Sequence, residues 1–281
     1  MSAALDGAGV EAWSGKDRGD ENFPVGSLLI RRNLRPHVHA FYAFARNADD
    51  IADSATLAPD EKIARLDVME AVLVGRRDVG SPSGIRLRES LAATGVTPRH
   101  ACDLLRAFRQ DATKHRYASW AELYEYCRYS AMPVGRYVLD LHGETAATHA
   151  PSDALCTALQ VLNHLQDAKA DLAALDRCYL PQDWLAQAAA SVDALRGPAE
   201  TPGLRRVFGQ LLAECTKLNV AARDLPRRTR DRRLRLETAV IVGLSTRLAR
   251  RLGRADPVAG RVRLTKGDAA ASLAASLRFL P

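Results

Sequence analysis

From Pro36 to the last residues of the chain, apolar side chains recur at every third or fourth position, and strand-like alternation is nearly absent. A chain patterned in this way can bury its apolar surface only as packed helices. The recurrences predict helices at 24–32, 36–54, 59–75, 84–94, 98–113, 119–143, 152–174, 181–190, 203–222, 234–253 and 266–279. Breaks fall where Gly and Pro cluster, at GRRDVGSPSG (75–84), HAPSD (149–153), RGPAETPG (196–203) and RDLPRR (223–228). Pro98 and Asp153 are placed as helix starts. Residues 1–22 carry Gly, Asp, Ser and Lys without period and read as a flexible tail, which leaves 23–281 as one all-α domain. There is no internal repeat of fixed period.

With 47% hydrophobic and 26% charged residues, the composition is that of a soluble, helix-rich globular protein. The formal charge of +7 comes mainly from Arg, most densely in RDLPRRTRDRRLRLE (223–237). Such a run is either a solvated face or a surface that attracts anionic lipid headgroups or polyanions. Nucleic acid is excluded as a partner, since no recognition module accompanies the charge. The five cysteines are scattered and form no C-x-x-C pair, which fits a reducing cytoplasm. The N-terminus has no secretory pattern, and apolar runs such as TAVIVGL are too short to span a bilayer. Membrane contact, at the inner face, is therefore expected to be peripheral, through residues 223–235 and the stretch ASLAASLRFLP.

The segment FARNADDIAD (44–53) sets acids on an otherwise apolar helix. Tyr42, Arg46, Asp49 and Asp53 are spaced by four, three and four residues and form one stripe, beside Phe41, Phe44, Ala45, Ala48 and Ala52. Carboxylates one turn apart repel, and either Arg46 or a divalent cation would relieve them. Mg²⁺ bridges one or two carboxylates to substrate phosphates. A lone D-x-x-x-D is better explained as an acidic surface helix paired to Arg. LNHLQDAKADLAALDRCYLP (162–181), however, repeats the device with Asn163, Asp167 and Asp171 at i, i+4 and i+8, beside Gln160 and Gln166. Two such helices facing each other across a bundle would hold Mg²⁺ around one diphosphate and assist its departure.

Loss of diphosphate leaves a carbocation, which survives only between apolar walls that exclude water. YEYCRYSAMPVGRYVLDLHG (124–143) is expected to kink at Pro133 and Gly135 and to open a cavity lined by Ala131, Met132, Val134 and Val138. Tyr126 is placed to present its ring to a cation, whereas Tyr129 and Tyr137 read as core packing. Arg177 and Tyr179 are expected to close over the diphosphate from a loop. Asp50 is one residue off the acidic stripe, and His164 is placed to orient a carboxylate or a water. His37 and His39 point apart on a helix and form no joint metal site. The spacings give no support for covalent catalysis.

In their order and spacing, FYAFARNADDIAD (41–53), YEYCRYSAMPVG (124–135) and LNHLQDAKADLAALDRCYLP resemble the squalene and phytoene synthase family, over residues 20–265. The resemblance implies an all-α isoprenoid synthase bundle around a central cavity, dependence on Mg²⁺, and an isoprenoid diphosphate substrate. By position, Asp49 and Asp53 match the first metal-binding pair, and Asp167 and Asp171 the second. Arg46 matches the arginine that contacts diphosphate, Asn163 the residue that opens the second motif, and Tyr126 the active-site tyrosine.

Departures from the pattern bear on the reaction. Condensing members read N-x-x-R-D-x-x-x-D, and here Gln166 replaces that Arg. They read A-G-x-V-G, and here the segment is Ala131-Met132-Pro133-Val134-Gly135. Ala255 stands in place of an aromatic before Arg261-Val262, and Asn22 in place of Ser before Phe23. These features resemble the hopanoid-pathway branch, which ionises presqualene diphosphate and lets water capture the rearranged cation to give hydroxysqualene. Gln166 is then expected to hold that water. Coupling to a presqualene diphosphate synthase and to a squalene-forming oxidoreductase is implied. The alternatives are head-to-head condensation of two farnesyl diphosphates and a non-catalytic assembly protein on a membrane. Retention of all four stripe aspartates speaks against the last. No G-x-G-x-x-G element follows a strand to hold a hydride donor.

Overall fold

A computed structural model describes residues 9–11 and 29–279. The expected helix at 24–32 and the tail at 1–22 fall largely outside the described residues, as do Asn22 and Phe23. Almost all regular structure is helical, and the chain divides into two compact units. The first is formed by residues 1–113 and 136–143, the second by 114–135 and 144–281.

In the first unit, α1 (Arg35–Ala52) starts with Pro36 in its first turn, where a missing N–H costs nothing. Its apolar stripe buries Phe41, Phe44, Ala48 and Ile51 against α3 (Pro82–Thr94) and α4 (Arg99–Asp111), while α2 (Pro59–Leu73) packs on all three. Helix α3 is capped by Ser81, whose Oγ accepts from the Gly84 N–H at 3.0 Å, and it ends at Gly95 in the left-handed region with φ 73°. Ser81 and Ser83 donate their hydroxyls to Glu11 Oε1 at 2.5 and 2.6 Å, which fixes residues 9–11 to the start of α3. Tyr137 is fully buried, stacks on Phe41 with centroids 3.9 Å apart and donates its hydroxyl to the His37 carbonyl at 3.0 Å. It is a core residue.

In the second unit, α7 (His149–Leu175) and α9 (Pro202–Ala222) form the central pair. Helix α11 (Arg232–Leu252) lies on both, α12 (Lys266–Ser276) lies on α11, and α5 (Trp120–Ser130) packs against α7. Short helices α8 (Gln182–Gln187) and α10 (Leu225–Arg228) connect them. The chain also contains two short parallel strands, β1 (Arg116–Tyr117) and β2 (Cys178–Pro181). All four residues of β2 are buried, so DRCYLP is a strand where a loop was expected. Four buried residues in a row show no alternation that would distinguish them from a loop end or a helix start.

The helix expected to kink at 119–143 is instead two helices, α5 and α6 (Met132–Leu141). Pro133 lies in the first turn of α6, where proline is tolerated, and Ala131 at the junction has non-helical φ −127°. A Cβ at Gly135 would run into the side chains of Ser152 and Cys156 on the first turns of α7, so a larger residue there requires both to move. No described helix is long and apolar enough to cross a membrane.

Candidate active site

Both aspartate pairs lie towards the C-terminal ends of their helices. Asp49 is in the last turn of α1 and Asp53 is its C-cap, and the last turn contains no basic residue. Asp171 precedes the end of α7 by one turn, again with no basic residue in the last turn. Carboxylates there add to the partial negative charge of the helix terminus, an arrangement that only a cation offsets.

In the first unit Arg46 supplies part of that charge. Its Nη1 lies 3.0 Å from Asp49 Oδ2 and its Nη2 2.9 Å from Asp50 Oδ1. Asp50, one position off the predicted stripe, is the more enclosed partner, with a side chain 6% exposed against 35% for Asp49. One guanidinium does not balance the acids present. The Asp49 carboxyl is pushed up to about 8, first by desolvation and then by Asp53, with Arg46 opposing and Asp111 and Asp50 adding. Asp111, buried at the end of α4, is a contributor that no motif announces. Tyr42 is half-buried one turn before Arg46.

In the second unit Asn163, Asp167 and Asp171 are half-buried and follow one another along α7. Asp167 is held by Arg261 in a two-pronged pair, Nε to Oδ1 at 2.7 Å and Nη2 to Oδ2 at 2.9 Å. Both side chains stay partly exposed, 28% and 41%, so the pair contributes at most about 1 kcal/mol and is readily exchanged. Gln166, 4% exposed, donates its amide to the Val262 carbonyl at 2.5 Å. One hydrogen of its amide is thus bonded to the backbone beside Arg261. The clamp sets Arg261 against Asp167.

Beside these residues lies a cluster of rings. His164 stacks on Tyr179 with centroids 3.4 Å apart, and Tyr126 lies 5.7 Å from Tyr179, 6.2 Å from His164 and 5.3 Å from Tyr117. Burial, helped by the charge of Arg177, pushes the His164 pKa down to about 3, so the ring stays neutral. Arg177 is buried with Nη1 3.4 Å from the Tyr179 hydroxyl. Arg177 lies next to β2 and Tyr179 on it, rather than on a loop. Val134, expected to line a cavity, is 43% exposed, and Val138 packs half-buried against the core of the first unit. Tyr117 escaped the sequence reading, and Arg261 entered it only within the Arg261-Val262 element, with no role given. Arg261 follows a Gly in an irregular segment, and Tyr117 has no helical stripe to reveal it.

Among the described residues no group of three or more His, Cys, Asp or Glu is disposed to hold a metal ion alone. Paired hard oxygen donors near helix C-termini, one carboxyl held protonated for want of positive charge, suit a cation that takes one or two carboxylates and completes its shell with water and phosphate oxygens.

The squalene/phytoene synthase profile matches residues 16–268. The chain belongs to the squalene/phytoene synthase family. Within that family it is 47% identical over 254 residues to the hydroxysqualene synthase of Rhodopseudomonas palustris, covering 90% of this chain and 87% of that one. The hydroxysqualene synthase of Zymomonas mobilis is 41% identical over 258 residues, covering 91% and 86%. Among solved structures, a squalene synthase, HpnC, from Alicyclobacillus acidocaldarius superposes with a TM-score of 0.71 at 36% identity, over 82% of this chain and 88% of that one. A dehydrosqualene synthase with bound ligand gives 0.79 at 21% identity, a likeness of fold.

Proposed function

We propose that this squalene/phytoene synthase family enzyme converts presqualene diphosphate and water to hydroxysqualene and diphosphate. The observation that carries the reading is its similarity, over nine-tenths of its length, to relatives named hydroxysqualene synthase. Asp49, Asp53, Asp167 and Asp171 are the proposed ligands of Mg²⁺, which when bound supplies Lewis acidity for departure of the diphosphate. Arg46 contacts the diphosphate, and Asn163 supports the second carboxylate pair.

The carbon–oxygen bond breaks with its electron pair leaving on the diphosphate, and the cation rearranges. Water adds through its oxygen and then loses a proton. Tyr126 and the rings packed around it offer electron-rich surface to the cation. A neutral His164 beside them adds no opposing charge. With a pKa near 3, His164 is also a poor proton acceptor, and the departed diphosphate is the stronger base. Gln166 acts as a positioning residue through Val262 and Arg261.

Mass-spectrometric product analysis tests this. Purified protein and Mg²⁺ are incubated with presqualene diphosphate or with farnesyl diphosphate, without nicotinamide. Hydroxysqualene from the first substrate and no turnover of the second is the expected result. Consumption of farnesyl diphosphate would place the protein in the condensing branch. In the same assay Gln166→Ala is expected to lower hydroxysqualene yield, and an unchanged yield would remove Gln166 from the reading.

A further inference from the structure

Helix α11 carries Arg247, Arg250 and Arg251 at i, i+3 and i+4, one stripe of like charge, and Arg254 follows just past its end. Only Arg251 is answered directly, by Asp268 at 2.6 Å. Arg247 donates Nε to the neutral Ser272 hydroxyl at 3.1 Å. Among the described residues no acid lies within ion-pair distance of Arg223, Arg247 or Arg250. Repulsion between Arg247 and Arg250 would be relieved by an anion bound from outside.

Arg247 and Arg250 form one wall of a cleft of about 390 Å³. Arg223 and Arg227, at and beyond the end of α9, and Arg278, after α12, add three more guanidinium groups, and no acid lines the space. Arg227 has only a loose, exposed pairing with Asp224 at 3.6 Å. Apart from Thr246 and Ser272 the remaining wall is apolar, including Val242 and the ring of Phe279, over which Arg278 sits at 5.0 Å. Helix α12 closes the cleft because Gly243 lets Ser272 approach to where a Cβ would stand 3.0 Å away. Leu273 and Leu277, beside it, are 50% and 53% exposed.

A free phosphate would use the arginines and leave the apolar wall and the two leucines unexplained. We propose that the cleft binds the phosphate headgroup of an anionic membrane phospholipid, with Leu273 and Leu277 entering the lipid interface. Guanidinium forks match phosphate oxygens, and the apolar wall matches the first methylenes of the acyl chains. The Arg-rich run at 223–237 reaches this surface only through Arg223 and Arg227. Arg228 pairs with Asp224, and Arg235 donates to the Thr229 carbonyl. This inference does not depend on the chemistry proposed at the aspartates, and its test uses no substrate.

Full-length protein is sedimented with vesicles of phosphatidylcholine, with and without phosphatidylglycerol. Wild type is expected to bind only the anionic vesicles, less tightly as salt rises. Arg247→Gln with Arg250→Gln is expected to weaken that binding about thirtyfold, roughly fivefold for each arginine. Leu273→Ser with Leu277→Ser should weaken it with the charge intact. Arg99→Gln with Arg128→Gln, exposed arginines elsewhere, should leave it unchanged, and thermal melts should match wild type in all variants. The proposal is overturned if wild type ignores anionic vesicles or if the Arg247/Arg250 variant binds as wild type does. It is also overturned if inorganic diphosphate fills the cleft in titration calorimetry while vesicles do not bind.

Discussion

Asp49 is a carboxyl whose surroundings oppose its ionisation, and that opposition dictates how the protein answers to pH. Its folded pKa is raised to about 8 by desolvation and by Asp53, whereas in the unfolded chain it ionises near its ordinary value of 3.8. The unfolded state therefore releases the proton first. The contribution of Asp49 to the stability of the metal-free protein is full below about pH 4 and falls as pH rises towards 8. Solvent reaching 35% of the side chain limits the loss to on the order of 1 kcal/mol. Asp49→Asn is expected to stabilise the metal-free protein by that amount at pH 8 in urea titrations and to lower hydroxysqualene formation at least a thousandfold. Mg²⁺ should raise the melting temperature of wild type at pH 8 and leave that of the variant unmoved. A variant that loses stability at pH 8 would refute the reading. The aspartates were legible because helical spacing is a local property. Arg261, which holds Asp167 from 94 positions away, was not, since nothing local marks a long-range partner.

Among the elements, helices with sustained apolar periodicity were readable to within a few residues. α1, α4, α9 and α11 begin and end close to where Pro, Gly and the change of pattern place them. The misreadings have local causes. One kinked helix at 119–143 proved to be two, because Pro133 tops a new helix, and proline alone does not tell a kink from a start. The start of α7 lies at His149, ahead of the expected 152, since Pro151 is tolerated in a first turn. The packing at Gly135 could not be inferred from sequence at all. Gly135→Ala is expected to destabilise by about 1–3 kcal/mol, as overpacking does, because Ser152 and Cys156 occupy the space its methyl would need. Chemical denaturation measures this directly. Ser152→Gly in the same chain should recover part of the loss, whereas a defect confined to helix propensity would not respond.

At the scale of the whole molecule, each compact unit carries one of the two aspartate pairs. The sequence made this arrangement legible as order and spacing along the chain, because each motif lies within a single helix. The function proposed makes a kinetic demand on both pairs, namely that each is needed for the departure of the same diphosphate. Residues serving a single step are strongly non-additive when removed together, because the first loss already disables what the second supports. Asp53→Asn and Asp171→Asn are each expected to lower turnover of presqualene diphosphate at least a thousandfold, with thermal stability preserved. The double variant should then fall little further than the worse single one. Had the pairs served independent steps, or had one been only structural, the losses would multiply or one variant would remain active. The control is the midpoint of chemical denaturation for all three variants. If turnover drops while folding does not, and the double variant matches the worse single one, the two pairs belong to one reaction.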